Sequence, residues 1–175
     1  GQLVWDVPEG MWRIFVLYLT RNAGLKPYYI NVIDRRSCRL QIDAVYEPHY
    51  ARYAADFGKT FAGFFSDEPE FGNTSDYRVE SSIGKKMLLP WSAEVPGVLA
   101  EKLGQDWLTQ LPALWYEAGD PSVTARVRYA YMDTITRLVE QDFSFQLGEW
   151  CEQHGVEYIG HTIEDNNQHA RLGQS

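Results

Sequence analysis

The feature that most constrains this chain is a pattern written twice. A helix-periodic run ends at a glycine, an apolar strand-like run follows, and that run stops at an acidic pair. The first copy passes through Gly58 and residues 60–65 to Asp67 and Glu68, and the second through Gly155 and residues 156–162 to Glu164 and Asp165. Glycine supplies the left-handed backbone that commonly closes a helix. A short, almost continuous apolar run after it reads as a strand buried on both faces, as in a parallel sheet covered by helices. Helix and strand alternating in this way define an α/β chain.

The helical halves are legible by spacing. Asp34 is placed to cap a helix running to about Phe57, with Cys38, Ile42, Val45, Tyr46, Tyr50, Tyr53 and Phe57 three and four residues apart. A longer helix is expected over residues 123–153, carried by Val127, Tyr131, Ile135, Leu138, Phe145 and Trp150. Gly119, Asp120, Pro121 and Ser122 break the chain before it, and shorter helices fit residues 98–103 and 107–114. Near the start, a turn at Pro8-Glu9-Gly10 leads into residues 12–19, which predict a hairpin and a buried strand. Residues 71–96 read as an irregular but ordered loop, because aromatic and acidic residues are interleaved there.

Acidic residues gathered at the C-terminal ends of parallel strands are the signature of the catalytic face of a (β/α) barrel. A doubly wound sheet shares the grammar, but no glycine-rich phosphate loop follows any strand. A full barrel takes about 250 residues. This chain has 175 and room for three or four strands. The expectation is therefore one domain over residues 1–175, a partial or truncated TIM-type (β/α) barrel.

Charge and composition remove several function classes. With a net charge of −8, the chain repels phosphate backbones, so no nucleic-acid partner is expected. No apolar run approaches the roughly 18–20 residues of a membrane span, and no membrane partner is expected. Cys38 and Cys151 lie in helical patterns without ligand spacing, which suits small buried thiols. There is no G-x-S-x-G elbow for a serine nucleophile.

Two carboxyl groups remain as the chemical centre. Glycoside hydrolysis needs one carboxylic acid to protonate the leaving oxygen and a second carboxylate to activate water or attack. Glu68, at a strand end and fixed by Pro69, suits the acid; Glu164, 96 residues later, suits its partner. Asp67, Asp165 and His161 are placed to orient a sugar or hold an ion, and Trp91 to stack on a sugar ring. Each has a plainer reading: a solvated acidic turn for the carboxylates, a core plug for Trp91. Glu70 is a substrate, ion or solvent contact rather than a catalyst, and Glu47 and His49 fit packing as well as a sugar pocket. The run from His161 to His169 lacks the spacing of a zinc motif, so no metal ligand is assigned; a calcium ion held by carboxylate oxygens is the more plausible ion.

The segments from Ile33 to Tyr50, Phe57-Gly58-Lys59, Phe64 to Pro69, Leu89 to Ser92, Leu111 to Leu114, Trp150 to Gly155 and Gly160 to Asp165 resemble, in order and spacing, large bacterial α-L-rhamnosidase-type glycoside hydrolases. The resemblance implies a (β/α)₈ catalytic domain cleaving terminal α-L-rhamnose by inversion, with Glu68 as acid and Glu164 as base. It implies no required cofactor, although such enzymes can carry Ca²⁺ at the site. The expected partner is a carbohydrate, and unpaired barrel edges make a homo-oligomer a reasonable second expectation. The alternative function is a noncatalytic carbohydrate-binding or structural fragment of such an enzyme. The cellular compartment is not legible.

Overall fold

The computed structural model describes residues 2, 4–21, 28–69, 71, 83–85 and 88–161. Its architecture is mixed α/β, with helices on a two-stranded parallel sheet that does not close into a barrel.

The first helical rod begins where Asp34 accepts a hydrogen bond from the Ser37 amide, the N-cap the sequence predicts. It comprises α1 (Arg35–Gln41), a wider π-helical turn (Ile42–Tyr46), α2 (Glu47–Tyr53) and a final 3₁₀ turn (Ala54–Asp56). At its end Gly58 takes φ +71°. The strand β1 (Gly63–Asp67) starts three residues later than the apolar run suggested. The reason is a tight turn in which the Phe61 amide reaches Asp56 and the Phe57 and Phe61 rings stack at 4.6 Å. That turn uses residues that alone look strand-like, and it moves Asp67 into the last position of the strand.

The second unit repeats the first. After α3 (Val95–Leu103), α4 (Trp107–Gln110) and a 3₁₀ turn (Leu111–Leu114), Asp120 caps the long rod through the Ser122 amide. The rod runs through α5 (Pro121–Leu138), a π-helical stretch (Val139–Phe145) and α6 (Gln146–Gln153). Gly155, at φ +70°, ends it, and β2 (Glu157–His161) follows. Lys102 of α3 forms an ion pair with Asp133 of α5.

The two rods lie side by side and run the same way: Gln146 reaches the Arg35 carbonyl, Trp150 reaches Glu47, and Tyr50 meets His154 at 4.4 Å. Their strands therefore also run together, and β1 pairs with β2 in parallel, with Phe64 opposite Tyr158 and Asp67 opposite His161. One core runs from Val32 to Val156. Cys38, Ile42 and Tyr46 enter it from the first rod, and Val127, Tyr131, Ile135, Leu138 and Trp150 from the second. Phe145, expected inside, is exposed. A π-helical turn contains more than 3.6 residues, so the stripe set upstream rotates away from Phe145 and continues at Phe143 and Leu147. On the first rod Val45, Tyr50 and Tyr53 are likewise at least a third exposed beside or after its π turn.

The N-terminal expectation fails. The turn at residues 9–10 is present, and Trp12 donates to the Pro8 carbonyl while its ring meets Trp5 at 5.7 Å. Residues 12–19, however, form no strand and are largely exposed. An apolar run becomes a strand only where another strand accepts its backbone hydrogen bonds, and among the described residues none does. Of the long loop, residues 88–92 are irregular but anchored, since the Tyr131 hydroxyl donates to the Pro90 carbonyl at 2.7 Å.

The close strand contact yields a prediction. A Cβ at Gly160 would land on the Ser66 backbone carbonyl of β1. Gly160→Ala is expected to force the strands apart and cost about 1–3 kcal/mol. The same variant should speed exchange of the Glu68 amide, which donates to the His161 carbonyl at 3.1 Å. Unchanged Glu68 exchange and an unchanged denaturation midpoint would refute this account.

Candidate functional site

Strand alternation divides the sheet into two faces. Phe64, Ser66 and Tyr158 face the helices and are half-buried, while Phe65, Asp67, Ile159 and His161 are exposed on the opposite face. The register places Asp67 and His161 opposite each other at the C-terminal ends of both strands. Their Oδ1 and Nδ1 atoms lie 3.3 Å apart, and the Phe65 ring meets the His161 ring edge-on at 5.6 Å. Glu68 is next, half-buried, and its amide is held by the His161 carbonyl.

Glu68 has a backbone φ of +44° and is the one non-glycine residue with positive φ among the described residues. That conformation is unfavourable for a side chain carrying a Cβ, by an amount on the order of 1 kcal/mol or more. The buried Pro69 that follows further restricts it. The chain turns sharply here, and the turn brings a Glu68 oxygen, an Asp67 oxygen and a His161 nitrogen within 4.8 Å of one another. Such a carboxylate–imidazole group can hold and pass a proton.

The same three residues form the only His, Cys, Asp or Glu group of metal-ligand spacing among the described residues. Calcium takes six to eight oxygen ligands. Two carboxylates and an imidazole supply too few oxygen ligands for such a cage among the described residues.

Among the other expected site residues, Glu164 and Asp165, together with Glu70 and His169, lie outside the described residues. Trp91 is half-buried and stacks on Trp107 at 6.3 Å, and its carbonyl accepts from Asn31, so its ring packs against the core. Glu47 accepts from the Trp150 indole and from Arg39, joining the rods, and His49 Nδ1 lies 2.6 Å from the Val45 carbonyl one turn earlier. Both thiols are buried, and burial pushes Cys38 up to about 12 and Cys151 up to about 11, which leaves them unreactive near neutrality.

Two features escaped the sequence reading. Phe65 offers an exposed ring beside His161; the signal was its i, i+2 relation to Asp67 within one strand. Asp142, 3% exposed, carries an Oδ2 with no hydrogen-bond partner. Burial raises its pKa to about 6, with Glu94 and Asp34 adding to the rise and Arg35 opposing it. A raised carboxyl pKa means that the folded state holds the proton more tightly than the unfolded state. Stability from this group is therefore complete below about pH 4 and declines as pH rises through about 6. Asp142→Asn is expected to remove that decline: the variant should gain stability relative to wild type between pH 5 and 8, read as the difference in urea midpoints. Parallel pH curves for the two proteins would contradict the assignment.

No protein-family model, no curated protein and no solved structure matches this chain.

Proposed function

We propose that this chain is part of the catalytic face of a (β/α)-barrel glycoside hydrolase of α-L-rhamnosidase type, cleaving terminal sugars by inversion. The observation that carries the reading is the convergence of Asp67, Glu68 and His161 at the C-terminal ends of two parallel strands, each preceded by its own helical rod. Parallel strands with helices on one face present their other face to a barrel interior, and barrel chemistry sits at the C-terminal ends.

In this reading Glu68 donates a proton to the leaving oxygen. Its backbone, strained at φ +44° beside the buried Pro69, sets the carboxyl at the strand end. Glu164 activates the attacking water. Asp67 and His161, paired across the strands, orient sugar hydroxyls, with Asp165 beside Glu164 in sequence. Exposed Phe65 supplies an apolar face for the ring in place of Trp91. No cofactor is required, and Ca²⁺ has at most a supporting role at the carboxylates.

The second reading, a noncatalytic carbohydrate-binding or structural fragment, is favoured by one observation. The sheet has two strands among the described residues and leaves Asp67 and His161 widely open to solvent. A panel of aryl glycosides including α-L-rhamnoside, assayed with and without Ca²⁺, separates the two. Turnover lost in both Glu68→Gln and Glu164→Gln supports the hydrolase, with inversion read from the anomer first released. A folded protein inert on every substrate leaves the fragment reading.

A further inference from the structure

We propose that residues 14–19 are a strand-exchanging arm: in a symmetric dimer each copy lays this run, in parallel, along the outer edge of β1 of the other. Three observations converge. The run Ile14-Phe15-Val16-Leu17-Tyr18-Leu19 is apolar at every position, the composition of an internal strand of a parallel sheet. Yet Val16, Tyr18 and Leu19 are 73%, 78% and 76% exposed. Contiguous apolar surface of this kind marks a contact site.

The receiving surface is β1. One edge pairs with β2, and among the described residues no strand occupies the other. Beside that edge Phe65 stands exposed with Ile159 on the open face. An uncovered edge recruits a further strand through its free N–H and C=O groups.

Topology selects the position. Strand, helical crossover and parallel strand follow one another in adjacent places in a sheet. The rod from Arg35 to Asp56 is the crossover between the arm and β1, so the order arm, β1, β2 follows. Exchange between copies keeps that order while changing which chain supplies the arm.

Within its own chain the arm is engaged elsewhere. The Phe15 ring lies 5.1 Å from Tyr116, and the Arg13 guanidinium sits 5.8 Å over the same ring. Exchange gives up those two contacts at the loop before α5 and gains a backbone ladder with both faces covered. The chain resumes burial at Val32 and Ile33, and the ten residues from 20 to 29 leave the arm up to about 36 Å of extended reach.

The test uses the 175-residue chain in light scattering over a hundredfold concentration range, with hydrogen exchange at residues 63–67. The expected result is a dimer whose β1 amides are protected. Val16→Pro and Leu17→Pro are made separately, because alternate N–H groups point to opposite edges of a strand. At least one should give a monomer with unchanged far-UV circular dichroism and faster β1 exchange, whereas Val16→Thr, a good strand former, should stay dimeric. A monomeric wild type overturns the proposal, whether its β1 edge is exposed or covered by its own arm. So does a dimer that both proline variants leave intact.

Discussion

Replacing Trp150 with alanine is expected to lower the unfolding free energy by about 3–5 kcal/mol. For a chain of this size that is on the order of 10 °C in Tm. Trp150 is 4% exposed at the junction of the two helical rods and the sheet. It stacks on His154 at 3.8 Å and meets Tyr46 and Phe64 edge-on at 5.3 and 5.9 Å. Its indole N–H donates to Glu47 at 3.0 Å, and Glu47 also takes Arg39 at 3.0 Å. Truncation empties a site walled by rings on both rods, which are too large and too constrained to collapse into it. Trp150→Phe separates the contributions: it keeps most of the ring contact and loses the hydrogen bond, worth about 1–2 kcal/mol. A Trp150→Ala loss below about 1 kcal/mol would show that the rods are not joined here.

On the proposed glycoside-hydrolase reading, Glu68→Gln is expected to reduce glycoside turnover by about 10²–10⁴-fold, the usual contribution of a positioned general acid. The amide matches the carboxyl in shape but has no proton of suitable acidity. The loss should depend on the leaving group. Aryl glycosides with acidic phenols depart almost unassisted and should lose least, whereas alkyl glycosides should lose most. Glutamine carries the same Cβ and side-chain length as Glu68 at its φ of +44°, so it should leave the fold and the amide bond to His161 unchanged. An equal loss across all leaving groups would remove Glu68 from the acid role, and full activity would remove it from the chemistry.

Much of the fold was legible because its signals are local. Asp34 and Asp120 cap through amides two and three residues ahead, and Gly58 and Gly155 close their rods with positive φ, so each answer lies within a few neighbours. The two strands and the acidic end of β1 were legible for the same reason, apart from the three-residue delay at β1 imposed by the Phe57–Phe61 stack. The candidate site was legible in part. Asp67, Glu68 and His161 could be nominated one by one, but nothing in the sequence says that Asp67 and His161 stand opposite each other. Sheet register is set by packing between residues 94 positions apart in the chain, 161 minus 67.

What the sequence determined by itself, then, is where the helical rods are capped and closed and where the acidic pair ends β1, because hydrogen bonds and backbone dihedrals act over one turn. What tertiary structure decided is which of those groups meet and which faces are covered. The π-helical turns rotate the buried stripe off Phe145, and Trp91 turns its ring onto Trp107. The helices close over Asp142 until its carboxylate loses water, and residues 14–19 stay open although their pattern is that of a buried strand. Burial and strand pairing each need a second surface, and a one-dimensional pattern can announce the need without naming the surface that meets it.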